Sequence, residues 1–405
     1  MLSTLLVTCG VHRDATVRPD PPCQLPGSVV SDGLPTAVRY VSPAGSDTSS
    51  GSATHPWASL RHAAEAARAG TVVHVSPGIY RENGLTLNNS GTSSGRIRIV
   101  SDQKWGAQIR TTSSYTVVRL NGSYLDIVGF DVAGDAHSCL GIADWGSNNR
   151  IIGNHVHNVP ANSKICGKNG GAGIVHANYS AGNDDTIGNA VHDIGSWPTL
   201  DERVHGIYHS NAGGYIWNNV VYHCAGFGIH LNHFPSAVTV ANNTVFNNRY
   251  GGIYVNGGGI LGHMLVTNNI SVNNAGYGIT ENYGSAGPGN RYINNLVFNN
   301  RSGDITLDRI GHSVQVGTII ADPLFVNYTG SSDGDYTLQS TSPARDHGTS
   351  NGAPTYDING LTRPVWDIGA YQSGTARCPW PWQARQSSIH APHRKNYGSK
   401  KSEGE

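Results

Sequence analysis

The stretch Arg203-Val204-His205-Gly206-Ile207-Tyr208-His209 gathers a guanidinium, two imidazoles and a phenol on one short piece of chain. Together these groups can neutralise a carboxylate, accept a proton and return one, which are the tasks involved in removing a weakly acidic proton beside a carboxylate. In that chemistry Tyr208 or His209 is the base, His205 the acid or orienting group, and Arg203 or Lys168 the neutralising cation. A second chemistry, glycosidic hydrolysis, needs two carboxyl groups across one bond. Asp201 or Glu202 facing Asp144 or Glu281 would supply them, whereas the adjacent pair Asp201-Glu202 alone occupies a single spot on the chain.

Other reactive types read more plainly. His155, His157 and His192 follow a recurring Asn and are expected as ladder or turn residues. Tyr254 and Tyr277 read as packing or sugar-stacking surface, and Trp145, Trp197 and Trp217 as sugar platforms or structural rings. Lys164 reads as a solvated loop charge and Asp184-Asp185 as a turn. There is no CxxC zinc spacing. No clustered Asp/Glu calcium site is legible either, so the cofactor is left unassigned, with Ca2+ the candidate.

The elements that must position these groups come from an internal repeat. An Asn-x-hydrophobic signature recurs at Asn154, Asn189, Asn219, Asn243, Asn269 and Asn295, and Gly-Ile recurs at Gly141, Gly173, Gly206, Gly228, Gly252 and Gly278. Two interleaved markers with a period of about 24 residues predict a solenoid of short stacked strands, with equivalent residues about 4.8 Å apart on neighbouring coils. Asparagine suits such turns, because it tolerates left-handed backbone and its amide can bond the coils above and below. The Gly- and Asn-broken runs carry no helical period.

Taking Gly-Ile as the register and as the opening of each strand, the column of Tyr208 continues with His230 and Tyr254 as an outward stack. The next column holds Asp144, His176, His209 and Glu281; strict alternation turns it inward, but its place near the strand end leaves it a candidate. Gly141 to Gly173 and Gly173 to Gly206 span 32 and 33 residues, against 22 to 26 for the next three intervals. The excess lies in residues 160–171 and 195–204. Both stretches precede a Gly-Ile strand, so both are expected to wall one groove, carrying Lys168, Asp201, Glu202 and Arg203. Its expected substrate-binding residues are Lys168, Asp201, Glu202, His176, His230, Tyr254 and Asp144.

The bulk properties agree. Only 13% of the 405 residues are charged, Gly numbers 52, and Lys plus Arg balance Asp plus Glu at 27 each. That balance gives no sign of a nucleic-acid partner, and no apolar run approaches the roughly 20 residues of a membrane span. The expected partner is a polysaccharide and the expected state a monomer. The opening Met1–Gly10 reads as a short signal-like leader, with Leu6–Cys9 resembling a lipoprotein box. It implies a secreted or cell-surface protein, with Cys9 as the lipidation point. Cys139 and Cys166 lie near equivalent points of successive repeats, where they could pair.

Residues 1–37 are read as leader and linker, 38–375 as the solenoid, and 376–405 as a disordered tail. Residues 59–70 have a Ser N-cap, an apolar stripe and a terminating Gly, which predicts a helix that plugs the open end. Thr71–Val75 reads as the first strand. The segments Arg39–Asp47 and Val75–Tyr80, with Asp322–Phe325, Asp335–Leu338, Ser342–Ala344 and Asp367–Tyr371 near the end, resemble the opening and closing segments of secreted bacterial β-helix proteins of the pectate-lyase-like superfamily. The resemblance covers roughly residues 38 to 372. It implies an all-β, right-handed parallel β-helix with an N-terminal capping helix. That superfamily includes lyases, hydrolases, epimerases and non-catalytic adhesins. The resemblance and the His/Tyr/Arg/Lys set together favour a lyase acting on a uronate polymer; the alternatives are a glycoside hydrolase and a glycan-binding solenoid.

Overall fold

The computed structural model describes residues 35–374, apart from 181, 197–198, 258–261, 283–286 and 309–312. The leader with Cys9 and the tail lie outside the described residues. Three sheets of eleven, nine and ten strands run along the molecule, and from residue 71 onward consecutive strands join them in rotation. The pairings within the three sheets are parallel, because each coil of the chain acts as the crossover that returns a strand beside its equivalent. The expected parallel β-helix is therefore the fold.

The Gly-Ile marker falls inside the strands of the nine-stranded sheet, not at their start. The strand Val204–His209, for example, begins two residues before Gly206. Ile142, Ile174, Ile207, Ile229, Ile253 and Ile279 stand in register on consecutive coils, and all are fully buried. Each such side chain contributes about 1.5–3 kcal/mol of burial. The glycine before each isoleucine also faces inward. A Cβ on Gly206 would lie 2.4 Å from Val221 Cγ1 and 2.8 Å from Cys224 Sγ, and one on Gly173 would lie 2.5 Å from Val191 Cγ1. Two consecutive inward positions break the alternation, so the residue before Gly and the residue after Ile both face out.

The paired asparagines divide their work. Asn218, Asn242, Asn268 and Asn294 take φ between 50° and 56°, where Gly153 and Gly188 serve on earlier coils. The following residues Asn219, Asn243, Asn269 and Asn295 are fully buried. Each of the first three donates Nδ2 to Oδ1 of the next at 2.9 or 3.0 Å. Backbone N–H groups of the same residues bond the same oxygens. The ladder thus satisfies buried polar groups at a corner of every coil.

The helix is Leu60–Ala66, capped by Ser59, whose side chain accepts from the His62 N–H. It ends before the expected Gly70. Arg68 N–H is taken by Thr71 Oγ1, and Asn89 Nδ2 bonds the carbonyls of Ala64, Glu65 and Ala67. Leu60, Ala63 and Ala64 join the main core, and the helix packs on Ala37–Val41 and Leu85–Leu87, end strands of two of the sheets. Ala37–Val41 precedes and pairs with Thr71–Val75, so the latter is the second strand.

The C-terminal segment lies along the ten-stranded sheet. Phe325, Tyr336, Ile358 and Ile368 share a core with Tyr222, Phe246 and Ile270. The outer asparagines anchor it: Asn218 Nδ2 donates to Tyr356 O at 2.8 Å, and Asn242 Nδ2 to Asp367 O at 2.8 Å. Among the described residues no helix is long and apolar enough to cross a membrane.

Candidate functional site

Residues 160–171 fold into a helical turn Ser163–Cys166 followed by a tighter turn Gly167–Asn169. Cys166 is disulfide-bonded to Cys139 on the coil below, the pairing considered from the repeat. The second insertion is locked to the first, with Gly171 N–H donating to Arg203 O at 3.0 Å, and to the next coil, with Asp201 N–H donating to Ala225 O at 3.0 Å. Both insertions rise on the nine-stranded sheet and bound a cavity of about 1020 Å³. Lys168 comes from one wall and Glu202 and Arg203 from the other, as the interval lengths predicted. Asp201 accepts from the Arg203 backbone N–H at 3.1 Å and pairs with its Nε at 3.4 Å, so it holds Arg203 without itself lining the cavity.

The floor is the outward face of the strands. Tyr208, His230 and Tyr254 stand in register, as expected. His205 joins them because Gly206 and Ile207 both turn inward. Its ring stacks on Tyr208 with centroids 5.0 Å apart, and its Nε2 lies 3.1 Å from His230 Nδ1. The remaining ring nitrogens, His205 Nδ1 and His230 Nε2, are buried and have no partner. Burial pulls His205 down to about 3; burial and the neighbouring His205 and His233 take His230 well below its ordinary value. Both are neutral at physiological pH. Whichever nitrogen donates across the 3.1 Å contact, the remaining pair consists of one bare nitrogen and one N–H.

Tyr208 is half-buried, and its oxygen accepts from Asn232 Nδ2 at 3.1 Å. Burial pushes the phenol up to about 12 against the opposing pull of that amide. Asn232 and His233 close the strand Phe227–His233 and line the cavity with Tyr179. Neither was singled out from the sequence, although His233 stands three residues after His230 on the same strand. Its ring lies 6.0 Å from that of Tyr208, and burial lowers its pKa. Trp145 lines the cavity and is 38% exposed, Trp217 stacks on Tyr215 elsewhere, and Trp197 lies outside the described residues.

The next column points inward to its end. His209 is fully buried, with Nε2 bonded to Gly213 O at 3.1 Å, so it is neither a base nor a ligand for a polymer on the surface. His176 and Asp144 are interior as well. His176 Nδ1 lies 2.9 Å from Asp144 Oδ2 and its Nε2 lies 2.8 Å from Thr186 Oγ1. Burial works against the charged imidazole, but Asp144 outweighs it and the His176 pKa is raised. Asp184, expected in a turn, is fully buried beside them; desolvation and Asp144 lift its carboxyl to about 7. Glu281 is also interior, accepting from Tyr292 Oη and Ser313 Oγ at 2.7 Å. These five acids and histidines therefore serve the core. Strict alternation wins at the strand end because each of these side chains finds a buried partner, His209 through Nε2 alone. Glu202 is the one carboxylate among the described residues lining the cavity.

No curated protein is matched by this sequence. Among solved structures, the crystal structure of pectate lyase Pel9A aligns with a TM-score of 0.61 at 17% identity, covering 85% of this chain and 98% of that one. A rhamnogalacturonan lyase aligns at 0.46 and 18% identity, covering 75% and 97%. A GH136 lacto-N-biosidase from Eubacterium ramulus aligns at 0.45 and 13% identity, covering 70% and 68%. At these identities the likeness concerns the fold. A family model described as the Pel9A-like, right handed beta helix region matches residues 39–312, more than half of the sequence, and the chain belongs to that family.

Proposed function

We propose that this protein is an extracellular polysaccharide lyase that cleaves a uronate-containing polymer by β-elimination in the groove walled by Lys168 and Arg203. The observation that carries the reading is the composition of that groove: two cations on the walls, phenols and neutral imidazoles on the floor, and one lining carboxylate, Glu202. A hydrolase with two opposed carboxyl groups is poorly served by that set. The similarity to the crystal structure of pectate lyase Pel9A supports the same substrate class.

In this mechanism Arg203 and Lys168 bind the uronate carboxylate and withdraw its charge, which acidifies the α proton. His233, neutral at physiological pH, takes that proton. The C–H electron pair becomes the new C=C bond, and the C–O bond β to the carboxylate breaks. Tyr208, protonated up to about 12, gives its proton to the departing oxygen. Proton transfer from His233 to Tyr208 restores both groups, so no co-reactant is consumed. His205 and His230 lie too deep to touch the sugar and act as positioning residues that fix the Tyr208 ring. His209 has no part in this scheme. A C5-epimerase would share the first step and return the proton to the other face.

The test is to incubate purified protein with uronate-containing and neutral polysaccharides, with and without a chelator, following far-ultraviolet absorbance and reducing ends together. Both signals rising on one uronate polymer is the expected result, and the chelator arm decides whether Ca2+ takes part. Reducing ends alone would replace the proposal with hydrolysis. Silence across a broad panel would replace it with a glycan-binding solenoid.

A further inference from the structure

A second cluster of titratable groups lies on another sheet. In the ten-stranded sheet Asp131 and His155 are in register on adjacent coils, and so are His157 and His192. His155 and His157 flank the inward Val156 and face outward with side chains 20% and 15% exposed. The ladder expected from the sequence is present, since the imidazoles of His155, His157 and His192 stack or tilt against one another 4.2 to 5.5 Å apart. The ladder does not account for the direction of the ring nitrogens.

His155 Nδ1 lies 2.8 Å from Asp131 Oδ2, and His192 Nδ1 lies 2.7 Å from Asp193 Oδ2. A carboxylate on Nδ1 holds the proton there and leaves Nε2 bare. These two Nε2 atoms then face each other at 2.7 Å. Two bare nitrogens repel at that distance, and a cation between them removes the repulsion. A carboxylate behind each ligating imidazole is the usual second layer of a protein metal site. His157 Nε2 lies 3.3 Å from both Asp131 oxygens, which brings a third imidazole to the same carboxylate. The side chains of Asp131, His155 and His157 each bring one ligand atom within 4.8 Å of the others. Trp105 and Tyr222 wall the cluster, with their rings 4.7 Å from His155 and 4.6 Å from His192.

We infer that His155, His192 and His157, with Asp131, form a binding site for a divalent transition ion of the zinc type, on a different sheet from the groove. Imidazole-rich sets select zinc, nickel or copper over calcium, which requires oxygen ligands. Arg110 pairs with Asp131 and offsets its charge, so the imidazoles carry most of the coordination. Seating an ion requires the two facing nitrogens to part to about 3.3 Å, the spacing of adjacent ligands in a tetrahedral site with 2.0 Å bonds.

The ladder itself supplies test variants compatible with the fold. The coil after His155 carries Ala190, and the strand position of His192 carries Tyr222 and then Phe246 on following coils. His155→Ala and His192→Phe therefore place residues already tolerated in that ladder, and circular dichroism checks each variant. Chelator-treated protein is titrated with Co2+, followed by visible absorption, and with Zn2+ and Ca2+, followed by calorimetry. We expect one equivalent of Co2+ with visible bands, displaced by Zn2+ and not by Ca2+, and abolished in the double variant. Asp193→Asn should weaken Zn2+ binding about 10- to 100-fold. Tyr208→Phe should bind Zn2+ as wild type does. Folded wild-type protein that binds neither Co2+ nor Zn2+, or an unchanged Co2+ spectrum in the folded double variant, would overturn the inference.

Discussion

The rings of Tyr208 and His205 stack nearly parallel, 10° apart with centroids separated by 5.0 Å, although the two residues stand three apart on one strand. Regular alternation would put them on opposite faces. They meet because Gly206 spends a position facing inward, against Val221 and Cys224. The groove floor thus depends on a missing side chain beneath it.

Gly206→Ala should therefore weaken the fold and the site together. The new methyl has no room between Val221 Cγ1 and Gly228 O, so a loss of about 1–3 kcal/mol is expected in denaturant melts. Wild-type stability would show that the corner is more pliable than this packing implies.

Tyr208→Phe keeps the ring and removes the proton. Turnover on the uronate polymer should fall by about 10²- to 10⁴-fold, with His233→Gln giving a loss of the same order and both variants folded. Arg203→Ala should lower kcat as well as raise KM, because the guanidinium both binds the uronate carboxylate and acidifies the α proton. If Tyr208→Phe and His233→Gln both turn over at the wild-type rate, the assignment of the groove chemistry fails.

Acid should destabilise the protein through its buried neutral histidines. His205 and His209 are both held down to about 3 by burial, whereas an unfolded histidine titrates near 6.5. Their contribution is complete above about 6.5 and is lost as the pH falls toward 3, because the unfolded chain then binds protons that the native state refuses. Asp184, lifted to about 7, runs the other way. The useful measurement is the difference between wild type and His205→Asn. The variant should lose less unfolding free energy between neutral pH and pH 5, and identical slopes would contradict the prediction.

The Cys139–Cys166 bond ties the wall that carries Lys168. Cys166→Ser should cost about 2–4 kcal/mol, on the chain-entropy scale for a loop of this length. It should also raise KM by loosening Lys168. An unchanged KM would separate the disulfide from the groove.

Within the Asn ladder, Asn243→Ala strands the Asn219 N–H and the Ile216 carbonyl, which Asn243 now satisfies at 2.9 and 2.8 Å. Each orphaned buried group costs about 1–3 kcal/mol, so this variant should be among the most damaging single changes in the coil, as read by thermal melts.

Most of the architecture was legible in the residues. Gly-Ile and Asn recur at the coil period because a repeated corner demands the same backbone and the same buried amide each time, and that demand is local. The two long insertions were legible for the same reason, as departures from the period, and with them the wall residues Lys168, Glu202 and Arg203. What the one-dimensional pattern could not show was which way the ends of a strand face. Sequence spacing placed His209 and His176 beside Tyr208 as candidates, while packing turned them into the core, where Asp144, Thr186 and Gly213 accept them. His233 reached the groove only through the length of its strand. The facing nitrogens of His155 and His192 arise from register between coils, 37 residues apart along the chain. The sequence by itself determined the repeat, its corners and its insertions. The tertiary structure decided which polar groups met one another and which met solvent, because burial and partner distance depend on the whole stack of coils.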